Sequence, residues 1–151
     1  MKNFIFDVRG DGYKIDIGNV TFRENCMIRV RQAGMLNLGN NIGFNRGCSI
    51  NCLNSITIGD DCLFGESVKL YDHNHRFRDN TELIERQGYT LGKISIGNNC
   101  WIGSNVVILK NVTIGDNVVI GANCLVYKDV PSNTLVKSTG DIEFQPIGYS
   151  K

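Results

Sequence analysis

From Ile96 the chain repeats one apolar and polar figure every six residues: IGNNCW, IGSNVV, ILKNVT, IGDNVV, IGANCL and VYKDVP. Ile96, Ile102, Ile108, Ile114, Ile120 and Val126 lead the units, and a smaller residue follows each leader by four places: Cys100, Val106, Val112, Val118, Cys124 and Val130. Glycine follows the leader in four units, and Asn or Asp stands three places after it in all six. Such residues suit tight corners, where a positive φ or a side-chain-to-backbone bond is needed. A period of six excludes an α-helix, whose apolar stripe returns every three or four residues, and flat antiparallel strands, which alternate every two. It predicts an all-β coil of short parallel strands, each turn stacked on the last, with the leaders forming interior ladders. One turn cannot bury its own face, so the stability is collective.

The same figure runs less regularly through LGNNIG, FNRGCS and INCLNS, shifts by two residues at Ile56-Thr57, and resumes as IGDDCL and FGESVK. It breaks between about Tyr71 and Lys93, in the polar and charged stretch YDHNHRFRDNTELIERQGYTLGK. That segment is too long for a corner, and a long excursion inside a compact solenoid is more often functional than accidental. The expected organisation is one domain: strands within 1–16 capping one end, coils over 17–70 and 94–131, the excursion over 71–93, and a tail over 132–151 capping the other end.

The chain has 151 residues and a net charge of +1, with 16 basic and 15 acidic residues scattered along it. No basic stripe offers a nucleic-acid surface. No apolar run reaches membrane-spanning length, and charges in MKNFIFDVRGDGYK come too early for a signal peptide, so a soluble cytoplasmic protein is expected. The six cysteines show no CxxC pair; Cys48, Cys62, Cys100 and Cys124 fall on inward positions and read as small hydrophobes, neither ligands nor bridges.

With its hexads and a histidine-bearing excursion, the chain resembles the hexapeptide-repeat acyltransferases over roughly residues 38 to 131. Within these it resembles the galactoside and maltose O-acetyltransferases, the xenobiotic acetyltransferases and the polysaccharide O-acetyltransferases. The resemblance implies a left-handed parallel β-helix, a homotrimer with active sites between subunits, acetyl-CoA as co-substrate and no required metal. It also implies a sugar or polysaccharide-precursor hydroxyl as acceptor, with an amino sugar as the alternative within the same chemistry.

Only two histidines exist, His73 and His75, both at the start of the excursion. Acetylating an alcohol from a thioester needs a base to take the hydroxyl proton, and histidine suits that task near neutrality. Counted without gaps from TIGDD, His75 falls where the galactoside enzymes place their catalytic residue, and Asn74-His75-Arg76 with Asp79 is similar to the xenobiotic enzymes' segment. His73 is the rival, since Asp72 beside it can orient an imidazole. Asn45, thirty residues before His75, matches an acceptor-contacting asparagine of the galactoside enzymes, although it also reads as an ordinary corner residue.

Trp101, the only tryptophan, takes an outward position where the family carries one beside the reaction centre; filling a trimer seam is a compatible reading. Ser104, Ala122, Tyr127 and Lys128 match family positions along the coenzyme groove, with the Ser104 backbone N–H as donor to the thioester oxygen. The tail PSNTLVKSTGDIEFQPIGYSK departs from the family, carrying only Lys137 and Lys151 as cations where Gly-x-Pro-Ala and basic residues usually follow. Two other classes remain: a metal-dependent γ-type carbonic anhydrase, which needs three histidines where this chain has two, and a catalytically silent scaffold.

Overall fold

The computed structural model describes residues 3–138, 140 and 142–146. Lys151, the second cation of the tail, lies outside the described residues. The strands visit three parallel sheets in strict rotation, so the chain winds as a three-sided prism. Strands β1 (Ile5–Arg9), β2 (Lys14–Ile17) and β3 (Val20–Phe22) start the three sides. Two further coils follow: β4 (Met27–Arg31), β5 (Met35–Leu38) and β6 (Ile42–Phe44), then β7 (Ser49–Cys52), β8 (Ser55–Ile58) and β9 (Leu63–Phe64). The fourth coil begins with β10 (Lys69–Tyr71), is interrupted by the antiparallel pair β11 (His73–His75) and β12 (Tyr89–Leu91), and resumes with β13 (Lys93–Ile96) and β14 (Trp101–Ile102). Strands β15 (Val107–Ile108), β16 (Val112–Ile114) and β17 (Val119–Ile120) make the fifth. The sixth has β18 (Leu125–Val126), a parallel bridge from Val130 to Ile114, and β19 (Thr134–Ser138). Strand β20 (Ile142–Pro146) then turns back antiparallel on β19.

The first strands therefore do more than cap an end. They form a complete coil, because Ile5–Arg9, Lys14–Ile17 and Val20–Phe22 each pair in parallel with the next coil's strand.

The leaders point inward and stack in register. Leu38, Ile58, Ile96 and Ile114 form one ladder and Phe44, Phe64, Ile102 and Ile120 another, all buried. At the upper end Phe22, Phe44 and Phe64 stack with centroids 4.8 and 4.3 Å apart, and Phe4 packs on Phe22 at 5.1 Å with its ring tilted by 43°. The predicted corner residues take the left-handed conformation: Asn41, Asp61, Asn99, Asn117 and Asn133 all have φ between 52° and 60°. Their amides join coil to coil, as Asn99 Nδ2 donates to Asn117 Oδ1 at 2.9 Å and Asn117 Nδ2 to Asn133 Oδ1 at 3.2 Å. Beside them a second ladder caps the backbone, with the N–H of Asn40, Asp60 and Asn98 donating to the side-chain oxygens of Asp60, Asn98 and Asp116 at 2.7–2.8 Å. Asparagine and aspartate serve here because they tolerate positive φ and supply the acceptor for the next coil's amide.

All six cysteines are buried and unpaired. Burial pushes the thiols of Cys48 and Cys52 up to about 12, which removes thiolate at neutral pH. In the folded protein at pH 8, a disulfide reagent such as Ellman's should titrate fewer than one thiol in minutes, and all six only after denaturant is added. Rapid native titration of two or more would show that the interior ladders open.

Candidate active site

The excursion leaves the prism after Asp72 and returns at Gly92, whose N–H donates to the Asp72 carbonyl at 2.7 Å. This bond closes its neck, the antiparallel pairing of β11 with β12 extends the closure outward, and the coil continues beneath it. The Asp72 side chain is fully buried and works in two directions. Its carboxylate accepts from the backbone N–H groups of Leu53, Asn54 and Ser55 at 2.7–3.1 Å, capping the corner of the coil above. It also lies 2.9 Å from His73 Nδ1. A carboxylate that accepts three amides accepts from the imidazole too, so Nδ1 is the donor to Asp72 and, in the neutral ring, Nε2 is the acceptor. The His73 ring is mostly buried, edge-on to Tyr71 and Tyr89.

His75, two residues on along β11, is exposed and lies against Tyr89 with centroids 4.6 Å apart. It borders two cavities. One, of about 630 Å³, is formed by the excursion and Lys110. The other, of about 730 Å³, is shared by both histidines and lies against the outer face of the β1-β4-β7-β10 sheet, with Arg29, Arg31, Asn51 and Tyr71. The excursion itself is ordered: Gln87 Nε2 donates to the carbonyls of Asp79 and Glu82 at 2.7 and 2.8 Å. Asp79 accepts from Thr81 N and Oγ1, which lowers its carboxyl below the ordinary value. Asp79 therefore shapes the hairpin.

The remaining expected site residues stand elsewhere on the prism. Asn45 and Trp101 share a cavity of about 350 Å³ on the outer face of the sheet that holds β6, β9 and β14. Trp101 is 58% exposed, in register between Leu63 and Val119. Ser104 and Ala122 sit on successive coils at the edge between that sheet and the β10-β15-β18 sheet, and a methyl on Gly103 would meet Ala122 N at 2.6 Å. The Ser104 N–H donates no hydrogen bond among the described residues, while its Oγ accepts from Glu66 N at 3.1 Å. Tyr127 and Lys128 follow β18 at the edge from which the excursion springs two coils earlier, with the Lys128 ammonium 5.3 Å from the Tyr127 ring centre. One chain thus joins His73 to His75 and Asn45 to Trp101, and keeps the two pairs on different faces.

Sequence reasoning missed Arg29, Arg31, Asn51, Tyr71 and Tyr89. The run MIRVR did carry a signal, since its arginines alternate with the inward Ile28 and Val30. Among the described residues no group of three or more His, Cys, Asp or Glu is placed to hold a metal ion, and no helix is long and apolar enough to cross a membrane.

Comparison with known proteins agrees with this architecture. Residues 93–128 match the bacterial transferase hexapeptide (six repeats) family model. The putative lipopolysaccharide biosynthesis O-acetyl transferase WbbJ of Escherichia coli is 32% identical over 137 residues, covering 85% of this chain and 69% of that protein. The galactoside O-acetyltransferase of Escherichia coli is 41% identical over 104 residues, 66% of this chain and 48% of that one. A hexapeptide-repeat acetyltransferase of Vibrio cholerae, solved with acetyl-CoA, superposes with a TM-score of 0.69 at 28% identity over 89% of this chain and 72% of that one. The chain belongs to the hexapeptide-repeat acetyltransferase family. It spans only part of several relatives, down to 32% of a probable acetyltransferase of Mycobacterium tuberculosis.

Removing Asp72 should loosen both the corner and the histidine. Asp72→Ala is expected to cost roughly 3 kcal/mol or more, since three buried amides lose a charged acceptor, and Asp72→Asn less. Denaturant midpoints at one protein concentration test this; an unmoved midpoint in Asp72→Ala would show that water replaces the carboxylate.

Proposed function

We propose that this protein transfers the acetyl group of acetyl-CoA to a saccharide hydroxyl, with His75 as general base and no covalent enzyme intermediate. The observation that carries this reading is the place of His75, exposed at the junction of two cavities on a hairpin whose root is pinned by Asp72. His75 removes the hydroxyl proton as the oxygen attacks the thioester carbonyl carbon. The tetrahedral oxyanion forms against the unspent N–H of Ser104, which is oriented before the charge appears. The C–S bond then breaks, and the coenzyme thiolate takes the proton from the imidazolium. Trp101, Ala122, Tyr127 and Lys128 line the coenzyme path in this reading, and Asn45 contacts the acceptor.

His73 has one specific observation in its favour, the bond to Asp72 that orients its ring through Nδ1 and directs Nε2 away from the carboxylate. Steady-state kinetics with acetyl-CoA over neutral sugars, charged sugars and amino sugars separates the two. His75→Ala should lower kcat several hundredfold with the fold intact, about what loss of a general base costs. Full activity in that variant, with the loss in His73→Ala, would move the role to His73.

The site is completed by a second copy in a trimer. Two features support this: the split of the candidate residues between faces of one prism, and the exposure of Phe77, Leu83 and Ile84 on the hairpin, more apolar surface than a solvated loop carries. His75→Ala and Trp101→Ala chains, each inactive alone, should regain roughly a quarter of wild-type activity when co-expressed, because one interface in four then pairs the two intact residues. No recovery in a verified mixed assembly would place the whole site on one chain.

A further inference from the structure

The larger cavity beside the histidines is positively charged. Arg9, Arg29 and Arg31 line it, and no carboxylate does so among the described residues. Asp7 stands behind them as the counter-ion. Arg31 is spent on it, bonding the Asp7 carboxylate through Nη2 and the Asp7 carbonyl through Nη1 at 3.0 Å, and this contact holds the Asp7 carboxyl down to about 2. Arg9 Nε donates to the same carboxylate at 3.2 Å. Three cations therefore share one anion.

Arg29 is the one left with capacity. Its Nε is screened from solvent, lies 3.6 Å from Asp7 Oδ2 and has no hydrogen-bond partner, and no other Arg29 nitrogen bonds a described residue. Asp7 thus balances part of the Arg29 charge without taking a hydrogen bond from it, which leaves the guanidinium's donors free for an anion. The side chain is 42% exposed and lines the cavity.

Register fixes what lies near it. Arg29 pairs with Asn51 and Asn51 with Tyr71, one coil apart each time, so Arg29 stands about 10 Å along the face from the strand that leads into the histidines. The cavity's volume of about 730 Å³ suits a ligand of one or two sugar rings. From this geometry we infer that the acceptor is an anionic saccharide. Its carboxylate or phosphate is received by Arg29, with Arg31 held alongside by Asp7, while its hydroxyl is presented to the histidines.

The inference rests on the acetyl-transfer reading above but is separable from it. Matched acceptors isolate the charge: galactose, galacturonate and galactose 1-phosphate, each assayed for transfer from acetyl-CoA and, separately, for binding by ligand-observed NMR. One or both anionic members should exceed galactose about tenfold or more in kcat/KM, chiefly through KM, and bind where galactose does not. The two anions distinguish a carboxylate site from a phosphate site. Arg29→Gln should collapse the ratio towards one and Arg29→Lys restore part of it, with KM for acetyl-CoA as the reference in the same preparations. Equal use and binding of neutral and charged members, or a ratio indifferent to Arg29→Gln, would overturn the anion site and leave the transferase intact. Selective anion binding that Arg29→Gln abolishes, with no transfer to any acceptor, would uphold the anion site and bring down the transferase.

Discussion

Every feature depends on a closure condition: the chain must complete a turn and arrive directly beneath its own strand, so that backbone amides meet backbone carbonyls coil after coil. Ile96 meets Ile114 in this way, eighteen residues on. No coil is stable alone, since its inward residues are covered only when coils stack above and below. Closure demands three sharp corners per turn, and the left-handed conformation of Asn99, Asn105, Asn111, Asn117 and Asn123 provides them. The apolar leaders supply the driving force and the asparagines the geometry. Neither suffices without the other.

At one corner the condition is met by another device. Between β7 and β8 the amides of Leu53, Asn54 and Ser55 are satisfied by Asp72 from the coil below. The same carboxylate holds His73, so a folding requirement and a candidate catalytic element share one buried charge. A buried carboxylate is tolerable only when its lone pairs are filled, and here three amides and an imidazole fill them.

The prism was legible in the sequence because its period is enforced residue by residue from Ile96 to Val130, and the inward cysteines and outward Trp101 followed from that phase. The excursion and its histidines were legible as a break in the rhythm. The arginine face was not. Its column runs Asp7, Arg29, Asn51 and Tyr71, at offsets of 22, 22 and 20 residues, whereas the regular coils repeat at eighteen. A six-residue count cannot find neighbours whose separation changes from coil to coil. For the same reason residues 1–16 read as end-capping strands, although Ile5–Arg9 and Lys14–Ile17 join Val20–Phe22 in a full turn. The separation of Asn45 from the histidines was hidden too, because a gapless count measures distance along the chain and says nothing of which side of the prism a residue faces.

The bond that joins Asp72 O to Gly92 N at the root of the excursion has an evolutionary corollary. Residues 73–91 hang from a closed ring of backbone, so they can be lengthened, trimmed or exchanged while the coil beneath keeps its pitch, and the entropic penalty of a longer loop grows only with the logarithm of its length. Novelty in ligand choice can therefore accumulate in an appendage whose failures leave the scaffold standing.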